Sequence, residues 1–270
     1  MKSRLIVSAI GVPILIIVLL FAPAQLFSII LAAMCVVAMH EVLSVTGFVK
    51  NRRILVTSMV YAGIIPFWAC YGKSYPVLLV LTFAYVVILA LFMMASKGEI
   101  QFTQVATAFC AAFFIPMFLS ALLALMDARE GRFLLFFPFI IAFSSDTGAF
   151  FTGKYMGRRK LAPLLSPNKT VEGSIGGIVA SVIAMLIYGI IMMLPFGLYV
   201  RIGSIIICAV IGAVAGQFGD LVFSCIKRQA GIKDYGNLMP GHGGILDRFD
   251  SVIFVTPLVA AIMYFYYPFL

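Results

Sequence analysis

Apolar runs long enough to cross a lipid bilayer recur from one end of this chain to the other, and nothing else in the sequence constrains its fold as much. A hydrocarbon core about 30 Å thick takes about 20 helical residues to span. On that ruler nine candidate spans run approximately 5–22, 26–48, 54–71, 77–95, 103–126, 133–153, 175–195, 202–224 and 249–268. Each must be helical, because a lone strand in lipid leaves its N–H and C=O groups without partners. The expected fold is therefore all-α, a polytopic transmembrane helix bundle of about nine spans. Composition agrees: 63% of the 270 residues are hydrophobic and 11% charged, whereas about a quarter of a soluble domain's residues carry charge.

The first run, Leu5 to Phe21, follows Lys2 and Arg4 as a secretory signal would. It leads through Ala22-Pro23-Ala24-Gln25 straight into further apolar residues, so a retained first span is expected. Placing the N-terminus in the cytoplasm puts Lys2, Arg4, Lys50, Arg52, Arg53, Lys97, Lys154, Arg158, Arg159, Lys160, Lys169, Lys227, Arg228, Lys233 and Arg248 on that side. Only Lys73, Arg129, Arg132 and Arg201 fall opposite, the bias that the positive-inside rule demands. The same rule accounts for the formal charge of +9 without nucleic acid, since the cations occupy short loops and form no continuous soluble face. Five scattered cysteines, with no CxxC pair and no His at ligand spacing, read as small core residues. No internal repeat of the kind many transporters show is visible.

Chemistry gathers late in the chain. Of ten acidic residues, Asp146, Glu172, Asp220, Asp247 and Asp250 lie within or at the edge of the last four spans. A carboxylate near the bilayer centre costs about 2.5–3.5 kcal/mol on insertion scales, so such groups usually face a cavity, a cation or a functional path. Asp247 and Asp250, three positions apart, share a helix face. With Asp220 they would offer the oxygen ligands Mg²⁺ prefers, and the competing reading is that Arg248 neutralises one of them while the others meet interfacial water.

Two long connections carry the remaining polar motifs. In Ser224-Cys225-Ile226-Lys227-Arg228 through Lys233 to Pro240-Gly241-His242-Gly243-Gly244, the cations suit phosphates and the glycines permit close backbone approach. Topology anchoring alone would also explain Lys227 and Arg228, and His242 reads either as a proton-transfer group or as a structural hydrogen-bonding one. In Ser166-Pro167-Asn168-Lys169-Thr170-Val171-Glu172-Gly173-Ser174, hydroxyls at a helix start with Lys169 nearby form either an anion site or an ordinary cap with Glu172 favouring the dipole. Upstream, Ser144-Ser145-Asp146-Thr147-Gly148 interrupts the sixth apolar run and should line the same cavity.

These residues resemble the phosphatidate cytidylyltransferase (CDP-diacylglycerol synthase) family. Its signature of S-x-x-K-R, K-D, P-x-H-G-G and D-R-x-D is met by Ser224, Lys227, Arg228, Lys233, Asp234, Pro240, His242, Gly243, Gly244, Asp247, Arg248 and Asp250. The upstream patterns D-T-G-A-x-x-x-G-K and S-P-x-K-T-x-E-G are met by Asp146 to Ala149, Gly153, Lys154, Ser166, Pro167, Lys169, Thr170, Glu172 and Gly173. Asn168 departs from it, standing where a Lys or similar residue is usual. The specific likeness covers residues 146–250, and the N-terminal half agrees only as a hydrophobic bundle.

The resemblance implies condensation of CTP with phosphatidate to CDP-diacylglycerol and pyrophosphate at the cytoplasmic face of the cell membrane, with Mg²⁺ or another divalent cation and a homodimeric assembly. It implies catalytic roles for Asp220, Asp247, Asp250 and Lys227, the three aspartates as metal ligands. Asp146, Ser166, Lys169, Thr170, Glu172, Ser224, Arg228, Lys233, His242, Gly243, Gly244 and Arg248 would bind substrate. On this reading residues 1–132 are supporting helices and a lipid-facing wall, and 133–270 the catalytic region with two functional cytoplasmic loops. The rival is a cation- or proton-coupled transporter using the intramembrane carboxylates. Transport gives no reason for a Pro-Gly-His-Gly-Gly loop beside Lys and Arg. A CDP-alcohol phosphotransferase is disfavoured because its D-G-x-x-A-R spacing is absent.

Overall fold

The structure, a computed structural model, describes residues 2–163, 165–236, 238 and 243–269, with side chains from residue 9 onward. Its helices are α1 (Lys2–Phe21), α2 (Ala24–Met39), α3 (Arg52–Phe67), α4 (Tyr75–Ala95), α5 (Phe102–Met126), the short α6 (Gly131–Leu134), α7 (Phe136–Met156), α8 (Val171–Phe196), α9 (Ile202–Gln229) and α10 (Leu246–Phe265). Wide π-helical turns extend α2 through His40–Val45 and α3 through Trp68–Gly72. Among the described residues eight helical segments are long and apolar enough to cross a membrane. The ninth expected span is helical over the 20 residues of α1.

Helix is what these sequences must form in lipid, and the exposed side chains show which solvent they meet. On α4, Val80, Phe83 and Leu91 lie largely uncovered. A water-soluble protein keeps such patches small, whereas acyl chains are their natural neighbours. The all-α membrane bundle read from the sequence is therefore the fold observed.

The chain packs as two compact units. The first comprises residues 1–124 and 229–249, the second 125–228 and 250–270. In the first, hydrogen bonds supplement apolar packing between helices: the Ser58 and Tyr85 hydroxyls meet at 2.8 Å, those of Tyr61 and Thr82 at 2.9 Å, and the Tyr61 and Tyr85 rings stack at 4.3 Å. Lipid tails are as apolar as leucine, so such polar and close-packed contacts carry helix association.

In the second unit α7 and α8 pack along one another extensively. Small residues let them approach: a methyl group at Gly177 would stand 2.7 Å from the Ser145 carbonyl oxygen. The Ser181 hydroxyl donates to the Ile141 carbonyl at 2.9 Å, and Tyr188 to that of Phe133 at 2.9 Å. Between α7 and α8 the chain forms an antiparallel ribbon of β1 (Lys160–Ala162) and β2 (Ser166–Thr170), pairing Lys160 with Thr170 and Ala162 with Ser166. A hydropathy reading sees only a polar loop there.

Candidate functional site

Each unit holds one cluster of buried or half-buried carboxylates. In the second unit the cluster grows from α9, where Asp220, Ser224, Lys227 and Arg228 follow one another at helical spacing and so share a stripe. The helix runs five residues beyond the expected span, which puts both cations in its last turn, where they suit the helix dipole. Ser224 donates to Asp220 Oδ1 at 3.3 Å. Lys169 Nζ, delivered by β2, lies 2.6 Å from Asp220 Oδ2. That ammonium is enclosed, and among the described residues it meets no partner with proper hydrogen-bond geometry.

Asp250, on α10, is only 8% exposed. Its Oδ1 accepts the Ser251 N–H at 2.7 Å. Asp220, Asp146 and Lys227 act on it through space. The Ser251 hydroxyl reaches Asp146 Oδ2 at 3.5 Å, the outer limit of a hydrogen bond. Three carboxylates thus share this cluster with Lys169, Lys227 and Arg228. Carboxylate oxygens are the donors a hard divalent cation prefers. Among the described residues, no three acidic, His or Cys side chains gather as a ready-made ligand set.

Other predicted residues of this unit are already engaged by the backbone. Thr170 caps α8, its Oγ1 accepting the Gly173 N–H at 3.0 Å. Glu172 accepts the N–H groups of Arg158 at 3.0 Å and Arg159 at 3.1 Å, closing the turn after α7. Of the two readings left open for this segment, the cap is present at Thr170, and anion binding at this helix start stays a proposal. Ser166 opens β2, and Arg228 reaches toward the Leu165 carbonyl at 3.4 Å. Gln217, which sequence reasoning passed over, ties three helices together. Its Oε1 accepts from the Ser174 hydroxyl, and its Nε2 donates to Ser145 Oγ at 3.1 Å and to the Ser174 carbonyl at 3.0 Å. The available signal was one amide in the run Ala215-Gly216-Gln217-Phe218-Gly219.

The first unit's cluster is built on the 229–249 segment. Asp247 Oδ2 accepts the N–H groups of Tyr235 at 2.8 Å and Gly244 at 3.0 Å. Gly243 has φ +82°, and a Cβ there would stand 2.6 Å from that same oxygen, which explains a glycine on both counts. Lys233 is exposed, as is Arg248 in the opening turn of α10. Pro240 and His242 lie outside the described residues. The second feature that sequence reasoning left without a role is Glu41. Its Oε1 accepts the Ile245 N–H at 2.9 Å and its Oε2 the Leu246 N–H at 2.8 Å.

A chain with eight helical segments long and apolar enough to cross a membrane among its described residues is an integral membrane protein. More narrowly, the chain belongs to the cytidylyltransferase family, whose model matches residues 2–266. It is 40% identical over 172 residues to a phosphatidate cytidylyltransferase of Staphylococcus saprophyticus, covering 64% of each chain. To that of Bacillus subtilis it is 38% identical over 187 residues, 68% of this chain and 64% of the relative. To that of Staphylococcus epidermidis it is 45% identical over 130 residues, 48% of each. The matched segments thus span between about half and just under two thirds of those relatives' length.

Proposed function

We propose that this chain is a membrane nucleotidyltransferase that condenses CTP with phosphatidate, giving CDP-diacylglycerol and pyrophosphate. The observation that carries the reading is the charge cluster of the second unit: Asp220 and Asp250 beside Lys169 and Lys227, in a chain of the cytidylyltransferase family. The reaction matches the cluster's chemistry. A phosphatidate monoester is already an anionic nucleophile, so the protein has no need of a covalent one. It must instead hold two polyanions together and compensate charge around the α-phosphorus of CTP.

Lys227, Arg228 and Lys233 are assigned to the phosphates, and Lys169 is the half-buried cation that an incoming phosphate draws away from Asp220. By the sequence motif alone, Asp220, Asp247 and Asp250 are the proposed ligands of a divalent cation, Mg²⁺ by donor type. Such an ion, when bound, neutralises phosphate charge and orients the leaving pyrophosphate. Asp146 and Ser224 complete the polar lining, with Gly243 and Gly244 allowing backbone approach to the nucleotide. The positive-inside bias supports an active site on the cytoplasmic side with the N-terminus on that side too. A homodimer is the assembly we propose. A proton- or cation-coupled transporter remains the less favoured reading, since family membership points to transfer.

Purified protein in detergent decides the matter. Cytidine-labelled lipid should form from CTP and phosphatidate and depend on added Mg²⁺. Absence of product with both substrates and the metal supplied would sink the assignment, and transport would need sealed vesicles to be seen at all.

A further inference from the structure

We propose that Glu41 is a positioning residue for the 243–250 segment, its carboxylate holding the start of α10 in the geometry that nucleotidyl transfer requires. The inference deepens the function proposed above and rests on its reading of Gly243, Gly244 and Asp247 as part of the active site. Glu41 lies on the second span, 204 residues from Ile245 and 205 from Leu246, yet each of its two oxygens takes one of those consecutive N–H groups. These are among the amides that a helix start leaves without intrahelical acceptors. The carboxylate is 3% exposed. A buried carboxylate persists only where hydrogen bonds replace its water, and here the backbone of one short segment supplies them.

Two local features point to placement rather than incidental packing. Glu41 sits in the π-helical turn His40–Val45. One extra residue in a turn rotates the rest of the helix by about 100°, and such bulges recur where a side chain has to be re-aimed. The segment, in turn, is shaped to receive it. A Cβ on Gly244 would collide with both Glu41 oxygens, and Gly236 also borders the carboxylate. Gly244 further donates its N–H to Asp247 Oδ2, so one glycine touches both carboxylates and links the clamp to a proposed metal ligand. Glu41 itself need touch neither substrate nor metal.

The test uses the full-length protein in detergent with Glu41→Ala, Glu41→Gln and Glu41→Asp. Two readouts are taken: steady-state kinetics with CTP and phosphatidate, and amide hydrogen exchange of peptides covering 243–250. Glutamine keeps one acceptor and should give an intermediate effect. Misplacement of a reacting group by about 1 Å can cost about a hundredfold, so kcat should fall about a hundredfold in Glu41→Ala and about tenfold in Glu41→Gln, with KM within about threefold. Exchange at Ile245 and Leu246 should accelerate in Glu41→Ala and Glu41→Asp while peptides of α3, α4 and α8 keep their protection.

Unchanged exchange at 245–246, or wild-type kcat despite faster exchange, overturns the proposal. So does a uniform loss of protection in Glu41→Gln, which would make Glu41 a general stability residue. If Glu41→Ala does not insert, Glu41→Gln carries the test. Should the wild-type protein form no cytidine lipid at all, the proposed function fails separately, and the positioning role fails with it only if exchange at 245–246 is also indifferent to Glu41.

Discussion

The two carboxylate clusters satisfy buried charge in opposite ways. In the first unit Glu41 and Asp247 accept backbone N–H groups, four of them from Tyr235, Gly244, Ile245 and Leu246. In the second unit Asp220 is met by a lysine, and Asp250 is buried beside two further carboxylates. A backbone amide cannot leave without unmaking local structure, so the first arrangement fixes geometry. A lysine side chain can exchange one anion for another, so the second arrangement can trade its internal partner for a phosphate or a metal. The transfer proposed above, between two polyanionic substrates, would use both, a rigid frame and charges free to change partners.

This contrast can be broken experimentally. The largest effect is expected from Asp220→Asn and Asp250→Asn, which should lower turnover on the order of a hundredfold while the protein still inserts, the scale of losing one charge-stabilising group in a transition state. Normal turnover in both at ordinary Mg²⁺ would remove the exchangeable cluster from the chemistry. Next, Gly244→Ala drives a methyl group into the Glu41 carboxylate. Overpacking of this kind costs about 1–3 kcal/mol, seen as a lower unfolding midpoint in detergent together with reduced kcat. A variant as stable and active as wild type would mean that the frame is softer than its hydrogen bonds imply.

Smaller changes sharpen the comparison. Lys227→Ala should raise the CTP or phosphatidate concentration needed for half-maximal rate about tenfold, the worth of one charge-assisted hydrogen bond to phosphate. An unchanged substrate dependence would return Lys227 to a topology anchor. Smallest is Thr170→Ala, which deletes the cap on the Gly173 N–H and should cost about 1 kcal/mol of stability, with Thr170→Ser restoring it. If Thr170→Ala instead weakened CTP binding more than stability, its hydroxyl would belong with the exchangeable groups.

The apolar runs alone determined that the chain is a helical membrane bundle, because lipid leaves a lone segment no other way to satisfy its backbone. Local spacing also put Asp247 and Asp250 on one helix face, whereas the continuation of α9 to Gln229, which sets Asp220, Ser224, Lys227 and Arg228 on one stripe, came only from the structure. What neither hydropathy nor spacing could show was partnership between distant segments. Glu41 is a single acid within a largely apolar span, and only folding brings the Ile245 and Leu246 N–H groups to it. Gln217 looked like one amide in a small-residue run until Ser145 and Ser174 were seen around it. The β1–β2 ribbon hid in a polar loop because five residues containing a proline carry too little pattern to announce a strand. Periodicity is a local property of the chain. Which carboxylate holds a backbone and which waits on a lysine is decided only when remote polar groups must find one another out of water.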